Sequence, residues 1–103
     1  MVWSDKDMSG ESVVVRFWEA RVGEGQLDAA VTWVHRNVVQ PSLSRGAVSA
    51  EMFVADEDRA SGNPARVVVL SRWSGVSDPH EPEPDGVCVV RAHGWDFRTT
   101  EGS

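Results

Sequence analysis

Apolar residues in this chain come in short blocks, and the spacing inside each block changes from one to the next. Val13-Val14-Val15-Arg16-Phe17-Trp18-Glu19-Ala20-Arg21-Val22 is dense in β-branched and aromatic residues and predicts a strand over Ser12 to Val22. Gly23-Glu24-Gly25 breaks it. From Gln26 to Gln40 the period lengthens: Leu27, Ala30, Val31, Val34 and Val38 recur at three and four residues, the stripe of an amphipathic helix. Asp28 falls in the first turn, where a carboxylate complements the helix dipole. Pro41 predicts that the helix stops near Val39 or Gln40. Ala47 to Ala55 returns to alternation, with Val48, Ala50, Met52 and Val54 on one face and Phe53 on the other. The polar run Asp56 to Pro64 is a turn. Arg66 to Trp73 is a third strand, and Ser74 to Gly86 is a loop carrying Pro79, Pro82 and Pro84 among acids. Val87 to Phe97 is the last strand.

The predicted order is β-α-β-β-loop-β, an α+β four-stranded antiparallel sheet with one main helix. Residues 1–11 form a flexible N-terminal arm, 12–98 a single domain and 99–103 a C-terminal tail. Strand one is apolar on both faces, Val13, Val15 and Phe17 against Val14, Trp18, Ala20 and Val22. Strand three repeats this, with Val67 and Val69 opposed to Val68 and Leu70. A sheet greasy on both faces needs cover on both. One helix of about four turns covers roughly one side. The economical cover for the other is a second copy of the sheet, so the expected assembly is a homodimer. The rival arrangement wraps the Pro-rich loop over the open side, to which its acidity suits it poorly.

Composition narrows the partners. The chain has 103 residues, 41% apolar and 25% charged, an ordinary globular balance. Its formal charge is −6, with one lysine and no basic cluster in sequence, which argues against nucleic acid or an anionic membrane as partner. No apolar run approaches a membrane span. One cysteine, Cys88, excludes an internal disulfide, and the N-terminus lacks a secretory core, so the expected location is cytoplasmic. Five tryptophans and no tyrosine suit a core, an interface or an aromatic pocket.

Several segments together carry a resemblance: Val15-Arg16-Phe17 before a Gly-containing turn, the helix Leu27–Val38, and Ala50-Glu51-Met52-Phe53 with the acidic tip Asp56-Glu57-Asp58. Val69-Leu70-Ser71-Arg72-Trp73-Ser74, ending a hairpin with Arg-Trp, completes it. The pattern resembles the antibiotic biosynthesis monooxygenase-like members of the dimeric α/β barrel superfamily over about residues 12–74 plus the closing strand. The resemblance implies a ferredoxin-like protomer whose sheet packs against its partner's in a dimeric α/β barrel, with a small-molecule pocket between sheet and helices. It also implies cofactor-free oxygenase chemistry on an aromatic, polyketide-like intermediate. A second helix normally follows the Arg-Trp strand, and here Gly75 to Gly86 replaces it. Haem-degrading relatives use an Asn on the first strand and a His on that second helix; here the nearest counterpart of the Asn is Trp18, and the helix is missing.

Within this frame the candidate catalytic residues are His93 and Arg91. The last strand's alternation puts Val87, Val89, Arg91, His93, Trp95 and Phe97 on one face. There His93 could take a proton from an acidic phenol or anthrone while Arg91 holds the anion. The plainer alternative is a strand end at the dimer seam. Trp73 is the expected pocket residue by family position, with Trp95, Trp18 and Arg16 as further substrate contacts. Trp18 and Trp33 read most simply as core or interface aromatics. Asp78-Pro79-His80-Glu81-Pro82-Glu83 has no second ligand cluster and reads as a solvated loop without a metal. Cys88 reads as a small buried hydrophobe. No cofactor is expected. The alternative function is a non-catalytic dimeric module of the same fold that binds a small ligand or a protein.

Overall fold

A computed structural model describes residues 13–99; the arm expected over 1–11, with Trp3, and residues 100–103 of the tail lie outside the described residues. Four strands form one antiparallel sheet: β1 (Val13–Val22), β2 (Ser49–Ala55), β3 (Arg66–Ser74) and β4 (Val89–Arg98). They lie in the order β2-β3-β1-β4, the ferredoxin-like arrangement expected from the sequence.

The helix runs further than predicted. α1 (Leu27–Val34) passes through one π-helical turn (His35–Val39) into α2 (Gln40–Ser44), so Pro41 lies inside the helical stretch. A proline there has no N–H and presses on the carbonyl four residues back. The wider turn offers a solution: the N–H of Gln40 donates to the carbonyl of His35, five residues back. At the start of this turn the Asn37 amide donates to the Trp33 carbonyl at 2.9 Å. The stop comes at Gly46, whose φ of +113° suits glycine alone. The N–H of Ala47 reaches the Ser42 carbonyl at 3.0 Å and that of Gly46 the Leu43 carbonyl at 3.3 Å, a Schellman ending.

Ala30, Val34, Val38 and Val39 pack onto Trp18, Ala20 and Val22 of β1 and Val67 and Val69 of β3. The helical stretch lies against β2 and β3. The same face over β1 and β4 is covered by the loop 75–88, held by an ion pair from Arg16 to Glu81. The Pro-rich loop therefore covers the part of the helix side that the helix leaves bare; among the described residues nothing covers the opposite side. The expectation of a solvated acidic loop is corrected for Glu81, whose side chain is only 16% exposed. A carboxylate desolvated this far needs a cation, and Arg16 supplies it.

The start of β4 also departs from expectation. Val87 lies outside β4, and Val89 does not share the face of Arg91 and His93, because the register with β1 shifts between Arg21 and Val22, leaving Val90 as an extra residue. This bulge turns Val89 inward, fully buried opposite Val22, and Arg91 outward opposite Arg21. Cys88 is buried as expected.

Candidate functional site

Side chains on the open face can be read across β2, β3, β1 and β4 in order. At one end stand Ala55, Arg66, Arg21 and Arg91; then Phe53, Val68, Glu19 and His93; then Glu51, Leu70, Phe17 and Trp95; then Ser49, Arg72, Val15 and Phe97. Phe53, Trp95 and Phe97 are 51%, 44% and 56% exposed. The rings of Phe17 and Trp95 lie 5.9 Å apart, as do those of His93 and Trp95. The face is thus an apolar centre with a row of three arginines at one end.

Arg91 and His93, the candidate catalytic pair, meet in a cleft of about 230 Å³ whose other walls are Glu19, Arg21 and Arg66. Glu19 accepts from Arg66 at 3.3 Å. Trp95 stands beside this cleft. Trp18 and Trp73 do not: they are 3% and 2% exposed on the helix side. Trp73 donates its indole N–H to the buried Ser71 hydroxyl at 2.9 Å, which satisfies both polar groups without a ligand. The sheet separates the six predicted site residues into two groups of three, and no single pocket holds them all. Arg72 is exposed and points away from Trp73, as strand alternation requires.

Arg16, the third residue of the helix-side group, is occupied by its own chain. Its guanidinium donates to both oxygens of Glu81, from Nη2 at 2.8 Å and Nε at 3.0 Å, and Nη1 reaches Asp96 at 3.2 Å. Glu81 is the chief reason that the Arg16 pKa is raised further. Gly94 makes the arrangement possible: a Cβ there would overlap the Arg16 guanidinium. Only a shallow cleft of about 140 Å³ remains between Trp18, the prolines of the loop and Gly94. Nothing local in the sequence marked Glu81 and Asp96 as partners of Arg16, since they lie 65 and 80 residues away.

A larger cleft, about 550 Å³, lies elsewhere, where the Gly23–Gly25 turn meets the β2–β3 turn. Glu24, Asp28, Asp56 and Glu57 line it without a histidine, cysteine or basic group, and it includes none of the predicted residues. Among the described residues no three His, Cys, Asp or Glu side chains are placed to hold a metal ion. No described helix is long and apolar enough to cross a membrane. Comparison with family models, with curated proteins and with solved structures finds no match. Functional inference therefore rests on the chain's own geometry.

Proposed function

We propose that this protein is a homodimeric small-ligand-binding module in which the open sheet face of one copy packs on that of another. The supporting observation is the placement of the Pro-rich loop. It shields the half of the helix side that the helix leaves bare, so the aromatic face opposite has no cover from the described chain. The face measures about 20 Å by 25 Å at strand spacings. That projected area exceeds the few hundred Å² common for apolar patches on monomers and suits a standard interface of about 800 Å² accessible area per partner. Its three half-exposed aromatics offer about 100 Å² each, or about 15 kcal/mol per dimer at about 25 cal/mol/Å². Association costs about 4–15 kcal/mol, so the gain is of the right size for a stable pair. The test is sedimentation equilibrium of wild type and Leu70→Glu. The account expects a dimer at micromolar concentration for the first and a folded monomer for the second; a monomeric wild type overturns it.

A second reading is a cofactor-free oxygenase, favoured by the meeting of Arg91 and His93 in one cleft beside Trp95. His93 would take a proton from an anthrone-like carbon and Arg91 would hold the anion. Dioxygen would then convert the CH₂ to a carbonyl, its second oxygen leaving as water. The burial of Trp18 and Trp73 weighs against it. Anthrone incubation with and without oxygen tests it: quinone formation lost in His93→Ala supports the reading, and no enzyme-dependent quinone ends it.

A further inference from the structure

We propose that Arg66, Arg21 and Arg91, with His93, form a binding site for an oxyanion group, carboxylate or phosphate, borne on a flat apolar ring that rests against Trp95. The proposal rests on the small-ligand reading above and supplies the ligand's chemical class.

Three observations carry it. Arg21 pairs directly across the sheet with Arg66 on one side and Arg91 on the other, so three guanidinium groups stand side by side. Like charges placed directly opposite are unfavourable in a sheet, and one carboxylate, Glu19 on Arg66, does not balance three cations. This row belongs to a chain whose net charge is −6, so the clustering of three cations does not follow from composition.

The second observation is the bulge. Arg91 keeps the open face by alternation with His93 and Trp95, whereas Val89 is buried on the helix side. The bulge at Val90 reconciles the two, so the strand anchors Val89 in the core without taking Arg91 out of the row, and bulges are common next to functional sites. Third, the row is not flat surface. Its side chains wall a cleft with His93 and Glu19, large enough for an oxyanion with part of a ring. Guanidinium forks match the paired oxygens of carboxylate and phosphate. His93 adds an imidazole N–H donor, and its ring lies 5.9 Å from that of Trp95, which offers the ligand's apolar body a surface. The row occupies the end of the face, a polar rim beside the apolar centre, so a second copy does not need to cover the guanidinium groups, and Trp95 stands at the border where it meets both ligand and partner.

Titration of ¹⁵N-labelled protein with phenyl phosphate, benzoate, inorganic phosphate and neutral benzyl alcohol, at ionic strength fixed with chloride, tests the site. Saturable shifts at Arg21, Arg66, Arg91 and His93 are expected with phenyl phosphate or benzoate, and whichever binds more tightly identifies the headgroup. Benzyl alcohol should give none. Arg21→Gln should weaken binding at least tenfold while melting no lower than wild type, because it relieves repulsion. Arg72→Gln, about 20 Å along the same face, should bind within twofold of wild type. Absence of saturable binding by every anion, or equal binding by Arg21→Gln, overturns the site. Inorganic phosphate binding as tightly as phenyl phosphate overturns the role of Trp95. Sedimentation of the same samples separates the two claims: a dimer that binds nothing sinks the site alone, and a monomer that binds sinks the dimer alone.

Discussion

Removing Glu81 should loosen the loop that replaces a helix, and the size of the loss can be worked from the geometry. Arg16 and Glu81 are joined by two hydrogen bonds, and their side chains are 18% and 16% exposed. Hydrogen bonds to charged groups contribute about 1.5–3 kcal/mol. Breaking a fully buried pair costs about 3–5 kcal/mol, and an exposed pair contributes about 0–1 kcal/mol. This pair lies between, and Asp96 still holds Arg16 after Glu81 is gone. Glu81→Ala is therefore expected to cost about 2 kcal/mol, a fall in Tm of about 8–16 °C for a domain of this size. Urea melts of Glu81→Ala, Arg16→Ala and the double variant, at one protomer concentration, close a double-mutant cycle. A coupling of about 2 kcal/mol is expected. Coupling below about 0.5 kcal/mol would refute the idea that this contact clamps the loop.

Three further outcomes follow from the same region. Gly94→Ala pushes the Arg16 guanidinium off its acids and should destabilise by about 1–2 kcal/mol, with little further loss when combined with Glu81→Ala; additive losses in urea melts would contradict this. Asp85 accepts from the Cys88 thiol at 2.9 Å and from the N–H groups of Val87, Cys88 and Val89, which lowers its pKa from 3.8 to about 2. A depressed carboxyl contributes stability above pH 3.8 that is lost as pH falls towards 2. Asp85→Asn should flatten that part of the Tm–pH curve, and an unchanged slope would sink the assignment. Burial, and then the contact with Asp85, raises the Cys88 pKa, so iodoacetamide should react slowly with native protein at pH 8 and rapidly once urea unfolds it.

Strand positions were legible because β-branched runs and two-residue alternation are local signals. Strand order has no such local signal, and the ferredoxin-like arrangement came with the resemblance rather than from the pattern of elements. The helix end was misjudged because Pro41 is a strong local signal and the π turn that accommodates it has none; Gly46 was the better marker. The bulge at Val90 escaped notice for a similar reason. Val87, Val89 and Arg91 keep an unbroken period of two, and the residue that breaks it is another valine. The site was harder. His93, Arg91 and Trp95 were grouped correctly because they share one strand. Trp18, Trp73 and Arg16 were grouped with them although the sheet lies between. The arginine row was invisible because Arg21, Arg66 and Arg91 come from three strands, and only the pairing register brings them together. The clamp on the loop was missed because charge partners many residues apart leave no pattern in the chain.

Intermolecular contacts recorded by isotope-filtered NMR on mixed labelled and unlabelled protein test the central claim most directly. The account predicts cross-protomer contacts from Phe17, Leu70, Phe53 and Trp95, and none from Val34 or Trp73. Cross-protomer contacts confined to other surfaces, or none at concentrations where the protein is folded, would contradict it.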